Sequence, residues 1–117
     1  MKMQHVTIQT KYFEEEIRFY EEFCGLRINQ DMRPHMDLVF LINGEGETRV
    51  EIIGNPDAEV SGNQYISMGF GTEDAVSLRE KYIARGLETT EIISPNPRVK
   101  FFYVKDPAGV KVQFIEG

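Results

Sequence analysis

His5 and Glu51 are an imidazole and a carboxylate, side-chain types that exchange protons and bind divalent cations, and they stand 46 positions apart. Ser67 and Gln113 repeat that interval when the chain is laid on itself with an offset of 62. The second pair has weaker chemistry. A serine hydroxyl is a poor ligand for zinc, nickel or iron beside an imidazole, and a neutral amide balances less of a cation's charge than a carboxylate. Nor can the Gln113 amide act as acid or base near neutral pH.

The same offset carries Arg49-Val50-Glu51-Ile52-Ile53 onto Lys111-Val112-Gln113-Phe114-Ile115, and Val39-Phe40-Leu41-Ile42 onto Phe101-Phe102-Tyr103-Val104. The chain reads as two copies of one unit. Apolar and polar positions are expected to agree in phase over both stretches, since a one-residue slip would invert every face. The helical halves match more loosely, each ending in Gly-Leu.

In the first copy, residues 4–9 alternate as a half-buried strand with His5, Thr7 and Gln9 on one face and Val6 and Ile8 on the other. Phe13, Ile17, Tyr20 and Phe23 then recur at helical spacing over 12–24. Glu14, Glu15, Glu16, Glu21 and Glu22 are expected on the opposite side. Gly25 supplies a helix stop. A second strand starts at Leu26, and strands over 36–42 and 48–53 flank the hairpin signal Asn43-Gly44-Glu45-Gly46.

A turn-rich connector follows the first copy, and the order β-α-β-β-β repeats. The second copy gives a strand over 64–71, a helix over 73–85 capped by Thr72, and strands over 89–93, 100–104 and 110–115. Ser94-Pro95-Asn96-Pro97 reads as a rigid polar connector. The expected organisation is a single domain, 1–117, made of modules 1–57 and 64–117.

The fold class is α+β. Each module of this size has one helix to cover one face of a four-stranded sheet, so the other face must meet something else. Two such sheets joined edge to edge make a curved eight-stranded cup with helices outside, and its interior is where a ligand is expected.

Composition narrows the partners. With 19 acidic against 13 basic residues the net charge is −6, which repels phosphate backbones and anionic lipid. No basic stripe or aromatic platform suggests nucleic acid. No apolar run is long enough for a membrane span, and no leader is evident, so a cytoplasmic location is expected. The single cysteine, Cys24, fits a reducing compartment and reads as a buried, inert thiol.

Ile17-Arg18-Phe19-Tyr20 with Cys24-Gly25-Leu26, Val50-Glu51-Ile52, and above all residues 104–114 with the Asp106-Pro107-Ala108-Gly109 hairpin carry a family likeness. The whole chain resembles the vicinal oxygen chelate superfamily, which includes glyoxalase I, fosfomycin and bleomycin resistance proteins, methylmalonyl-CoA epimerase and extradiol dioxygenases. Metal-dependent members place one ligand on the first and last strand of each unit, which the resemblance assigns here to His5, Glu51, Ser67 and Gln113. Ser67 departs from the usual histidine and Gln113 from the usual glutamate.

The resemblance implies a glyoxalase-like or bleomycin-resistance-like protein that binds a small organic molecule, with a homodimer as the expected assembly. If it is an enzyme, a metal-assisted lyase or isomerase step is implied, with His5, Glu51 and Gln113 as ligands and Glu51 as the catalytic base. The metal would be Zn, Ni, Co, Mn or Fe, held weakly or not at all because Ser67 replaces histidine. The alternative is a metal-free protein that sequesters or senses its ligand. Strand parity adds Thr7, Arg49, Ser67, Tyr65 and Lys111 as substrate-binding candidates, with Gln9, Ile53, Gly69 and Ile115 on the same faces. Each has a plainer reading as a solvated or paired surface residue, as do Arg33, His35 and Asp37. Phe101, Phe102 and Tyr103 are expected in the core, and parity turns Glu116 away from Gln113.

Overall fold

A computed structural model describes residues 1–60 and 65–117. The chain divides into two compact units, Met1–Ser61 and Gly62–Gly117. In the first, β1 (His5–Thr10), α1 (Phe13–Cys24), β2 (Arg27–Asp31), β3 (Leu38–Ile42) and β4 (Arg49–Gly54) follow in order. The second contains β5 (Ser67–Gly71), α2 (Ala75–Ala84), β6 (Ile93–Asn96), β7 (Val99–Lys105) and β8 (Lys111–Glu116). Both sheets are mixed and share one topology, β1-β4-β3-β2 and β5-β8-β7-β6, with the outer pairs β1/β4 and β5/β8 parallel. The expected β-α-β-β-β repeat is the observed one.

Alternation decides the two faces of each sheet. In the first unit Ile8, Val39, Leu41, Val50 and Ile52 are buried on one side, as are Phe13, Ile17 and Tyr20 of α1. Removing such side chains from water stabilises by about 1.5–3 kcal/mol each. Glu16 is buried with them rather than lying on the solvent side as expected. It follows Phe13 by three residues and precedes Tyr20 by four, so helical geometry sets it on the apolar stripe. Gly25 ends the helix in the left-handed region at φ 69°, with its N–H donating to the Tyr20 carbonyl. Cys24 is half-exposed, not buried, because the helix ends there on the rim of the stripe.

The second core is more aromatic. Phe102, Val104, Val112 and Phe114 are buried on one face, and Tyr82 of α2 sets its ring edge-on to Phe102 and Phe114 at 6.4 and 5.3 Å. Val110 N–H donates to the Asp106 carboxylate at 2.8 Å and Gly109 N–H to the Asp106 carbonyl at 2.9 Å, closing the β7/β8 hairpin.

Several local expectations change. Ser94, Pro95 and Asn96, read as part of a connector, belong to β6 with Ile93, and the strand expected over 89–93 does not form ahead of it; Pro95 is tolerated because β6 is an edge strand. Thr90 lies ahead of β6, yet it still exchanges hydrogen bonds with Tyr103 of β7. The second helix starts at Ala75, and its cap is Asp74, whose carboxylate accepts from Ser77 N–H at 3.0 Å, instead of Thr72. Glu116 accepts from Ala75 N–H at 2.8 Å, so it serves the positive end of α2 and faces away from Gln113 as parity required.

The repeat also slips. Phe40 pairs with Glu51 across β3/β4, whereas it is Tyr103 that pairs with Gln113 across β7/β8. The first hairpin is therefore one residue longer, and the offset is 63 on the third strand of each unit while staying 62 on the first and last. Phe102 is the counterpart of Val39 in the core. Phe101 and Tyr103 lie on the opposite, half-exposed face, ring edge to ring face at 5.6 Å.

Two measurements follow. Phe102→Ala is expected to cost about 3 kcal/mol or more in urea unfolding, and Tyr103→Ala clearly less; equal losses would contradict the register. The hydrogen bonds from Ser77 hold the Asp74 carboxyl below its ordinary 3.8. Since the folded-state value is the depressed one, this stabilisation is present at neutral pH and fades as pH falls through that value. Asp74→Ala should lower the melting temperature at pH 7, with the gap from the parent closing in strong acid.

Candidate functional site

The faces turned away from the helices carry the polar groups. In the first unit the parallel register sets His5 beside Arg49 and Thr7 beside Glu51, and the hairpin sets Phe40 on the other side of Glu51. Thr7 donates its hydroxyl to Glu51 Oε1 at 2.6 Å. His5 Nε2 stands 3.6 Å from the same oxygen, within ion-pair distance when the imidazole is protonated. The Glu51 side chain is 13% exposed and that of His5 37%, so the carboxylate is sheltered and the ring open to solvent. Phe40 meets the His5 ring edge-to-face at 5.7 Å.

Arg49 lies flat on this floor. Its guanidinium carbon is 3.9 Å from the Phe40 ring centroid, and Nη1 donates to Asn29 Oδ1 at 3.2 Å and Gln30 Oε1 at 3.4 Å. Both amides are within reach because the β2/β3 register shifts between Ile28 and Gln30, a bulge that brings consecutive side chains to one side. A cavity of about 360 Å³ shares Arg49 and Asn29 and is also walled by Lys2, Gln4 and Glu47.

The second unit shows a related floor with different groups. Lys111 Nζ lies 4.1 Å from the Tyr103 ring centroid, two residues before Gln113. Gly69 takes the place of Thr7, and the Gln113 amide oxygen lies only 3.1 Å from where a Cβ on Gly69 would stand. Ser67 is exposed at the start of β5. Tyr65 was expected within that strand, but β5 begins at Ser67 and Tyr65 lies ahead of it, 87% exposed. Strand parity therefore does not fix its direction.

Arg33 follows its plainer reading as a paired surface residue. It binds Asp31 through Nη2 to Oδ2 at 2.6 Å and Glu14 at 3.2 Å, tying the end of β2 to α1. The guanidinium's hydrogen bonds hold the Asp31 carboxyl down at about 2 and raise the arginine further. His35 and Asp37 are exposed.

A divalent cation at Glu51 would find one imidazole and one carboxylate in the first unit. Among the described residues no three or more His, Cys, Asp or Glu side chains group into a metal site. In the second unit the corresponding positions, Ser67 and Gln113, offer only a hydroxyl and an amide. The donors do not fit a tightly held zinc, nickel or iron.

Two mixed βαβββ sheets with polar outer faces define a superfamily architecture, and the comparisons agree on which. Residues 2–114 match the model of the Glyoxalase/Bleomycin resistance protein/Dioxygenase superfamily, and the chain belongs to that family. It is 24% identical to a lactoylglutathione lyase of Haemophilus influenzae, across 99% of this chain and 93% of that protein. Among solved structures, a fosfomycin resistance protein from Listeria monocytogenes shares the fold with a TM-score of 0.80 at 12% identity, over 100% of this chain and 93% of that one. A glyoxalase family protein from Bacillus anthracis gives 0.75 at 20% identity, over 100% and 95%.

Phe40, Asn29 and Gln30 escaped the sequence reading. Phe40 could have been found by counting back from Glu51 through the hairpin, had the turn length been known; the bulge that presents Asn29 has no sequence signature. A double-mutant cycle on Thr7→Val and Glu51→Ala is expected to give a coupling of about 1.5 kcal/mol in urea unfolding, the low end for a hydrogen bond to a charged group. Additive losses would mean the contact contributes nothing in solution.

Proposed function

We propose that the protein binds a small organic molecule on the open faces of its sheets, centred in the first unit on His5, Thr7 and Glu51, and that it does so without a resident metal. The observation that carries this is the donor set around Glu51: its Oε1 accepts from the Thr7 hydroxyl and stands 3.6 Å from His5, Oε2 keeps its lone pairs for a donor on the ligand, and among the described residues no third imidazole, thiolate or carboxylate joins His5 and Glu51 to complete a metal shell. In this reading Glu51 is the group that takes a proton or a donor from the ligand. His5 and Thr7 fix its orientation, and Ser67, Gln113, Lys111 and Tyr65 are binding positions of the second unit. Sequestering or sensing a compound needs nothing more.

A second reading, a metal-assisted lyase or isomerase with His5, Glu51 and Gln113 as ligands, draws on the full-length similarity to a lactoylglutathione lyase. The two readings part on metal. Protein purified without chelator should contain less than stoichiometric Zn, Ni, Co, Mn or Fe by elemental analysis. Millimolar additions should leave its melting temperature unchanged, since a ligand selective for the folded state must raise it. Stoichiometric metal, or a rise that Glu51→Gln abolishes, would favour the lyase reading. Small-molecule binding itself is tested by a compound screen with amide chemical shifts as readout. Shifts clustered at His5, Thr7, Phe40 and Glu51 are expected, and their absence across the screen would overturn the proposal. A homodimer in the cytoplasm remains part of it, checked by sedimentation at micromolar concentration.

A further inference from the structure

We infer that the ligand is a small carboxylate monoanion and that Arg49 is the residue that recognises it; this deepens the small-molecule reading and rests on it. Arg49 is half-buried, yet among the described residues no carboxylate lies within ion-pair distance of it. Its hydrogen-bond partners, Asn29 and Gln30, are neutral acceptors, and its flat face is covered by Phe40. A guanidinium that has lost part of its water and gained no counter-ion carries a cost that an incoming anion removes. The ring and the two amides hold the planar fork in place before any ligand arrives, so little side-chain entropy is lost when a carboxylate binds it in bidentate fashion.

The second unit supplies an independent instance. Lys111 occupies the position of Arg49 in the repeat, lies on the Tyr103 ring as Arg49 lies on Phe40, and likewise has no carboxylate partner among the described residues. The four positions first singled out differ between the units, histidine against serine and glutamate against glutamine. A cation laid on the aromatic ring of the third strand is what the two units have in common.

Charge around the cavity selects a monoanion. Lys2 and Arg49 contribute two positive groups, while Glu45 and Glu47 line the same wall and Glu45 is drawn to Arg27 at 3.4 Å. Glu47, which has no ion-pair partner among the described residues, would repel the second charge of a phosphonate dianion, whereas a single carboxylate can face the cations alone. The 360 Å³ available lies at the small end of ligand pockets.

The test is a titration of the full chain with sodium lactate, its uncharged analogue lactamide, and methylphosphonate, followed by amide shifts that include the Asn29 and Gln30 side chains. Lactate should bind saturably and about tenfold more tightly than lactamide, with methylphosphonate weakening as pH rises through its second ionisation. Arg49→Gln should weaken lactate about tenfold and leave lactamide unchanged, and Arg49→Lys should fall between them. The comparison of the three compounds on the unaltered protein needs no variant to fold. Lactamide binding as well as lactate, or lactate binding unaffected in both Arg49 variants, would overturn the inference while leaving the small-molecule reading in place. Methylphosphonate binding tighter than lactate at high pH would overturn the choice of a monoanion. Lack of response to all three compounds would overturn the inference, and the broader compound screen would then decide the reading beneath it.

Discussion

The parallel pairing of the first and last strand in each unit is the constraint on which everything else depends. It joins residues some 44 positions apart, Thr7 to Glu51 and Gly69 to Gln113, and in doing so adds the first strand of each unit as an edge beside the hairpin strands. Because side chains alternate, that single register assigns every residue of four strands either to the helix-covered core or to the open face. Ile52 and Val112 are sealed under their helices for the same reason that Glu51 and Gln113 are left on the outer side.

On the open face the two units have diverged around a shared plan. The first holds a sheltered carboxylate supplied with a hydroxyl and an imidazole. The second replaces those with a glycine, an amide and a serine, which removes the negative charge and leaves Gln113 lying against bare main chain at Gly69. The centre of the first unit is therefore acidic and that of the second neutral. The cation-on-ring element survives in both, so a positive charge stands two residues before Glu51 and before Gln113 alike.

Much of this was legible in the chain itself. The strand signals over 4–9 and 48–53, the helix stop at Gly25 and the Asp106-Pro107-Ala108-Gly109 turn have local causes, and the structure follows them to within a residue. What escaped depended on events between elements. The burial of Glu16 follows from helical phase but runs against residue type, and the exposed face of Phe40 follows from a hairpin length that no residue announces. The bulge that brings Asn29 and Gln30 to Arg49 is a property of two strands meeting. Asp74 rather than Thr72 caps α2 because the helix begins two residues later than its composition suggested, with Glu116 from a distant strand helping to fix the start.

The extra residue in the β3/β4 hairpin bears on how such a duplicated chain can be cut and recombined. A segment exchange between the halves made at one constant offset would graft the third strand out of phase. It would set a core aromatic such as Phe102 on the face away from the helix and drive Tyr103 under the helix. Swaps that include the whole hairpin, and so carry their own turn length with them, avoid this. The two halves are interchangeable parts only at the level of entire strand pairs, and a shuffled library built on sequence alignment alone would turn the core face of the third strand outward.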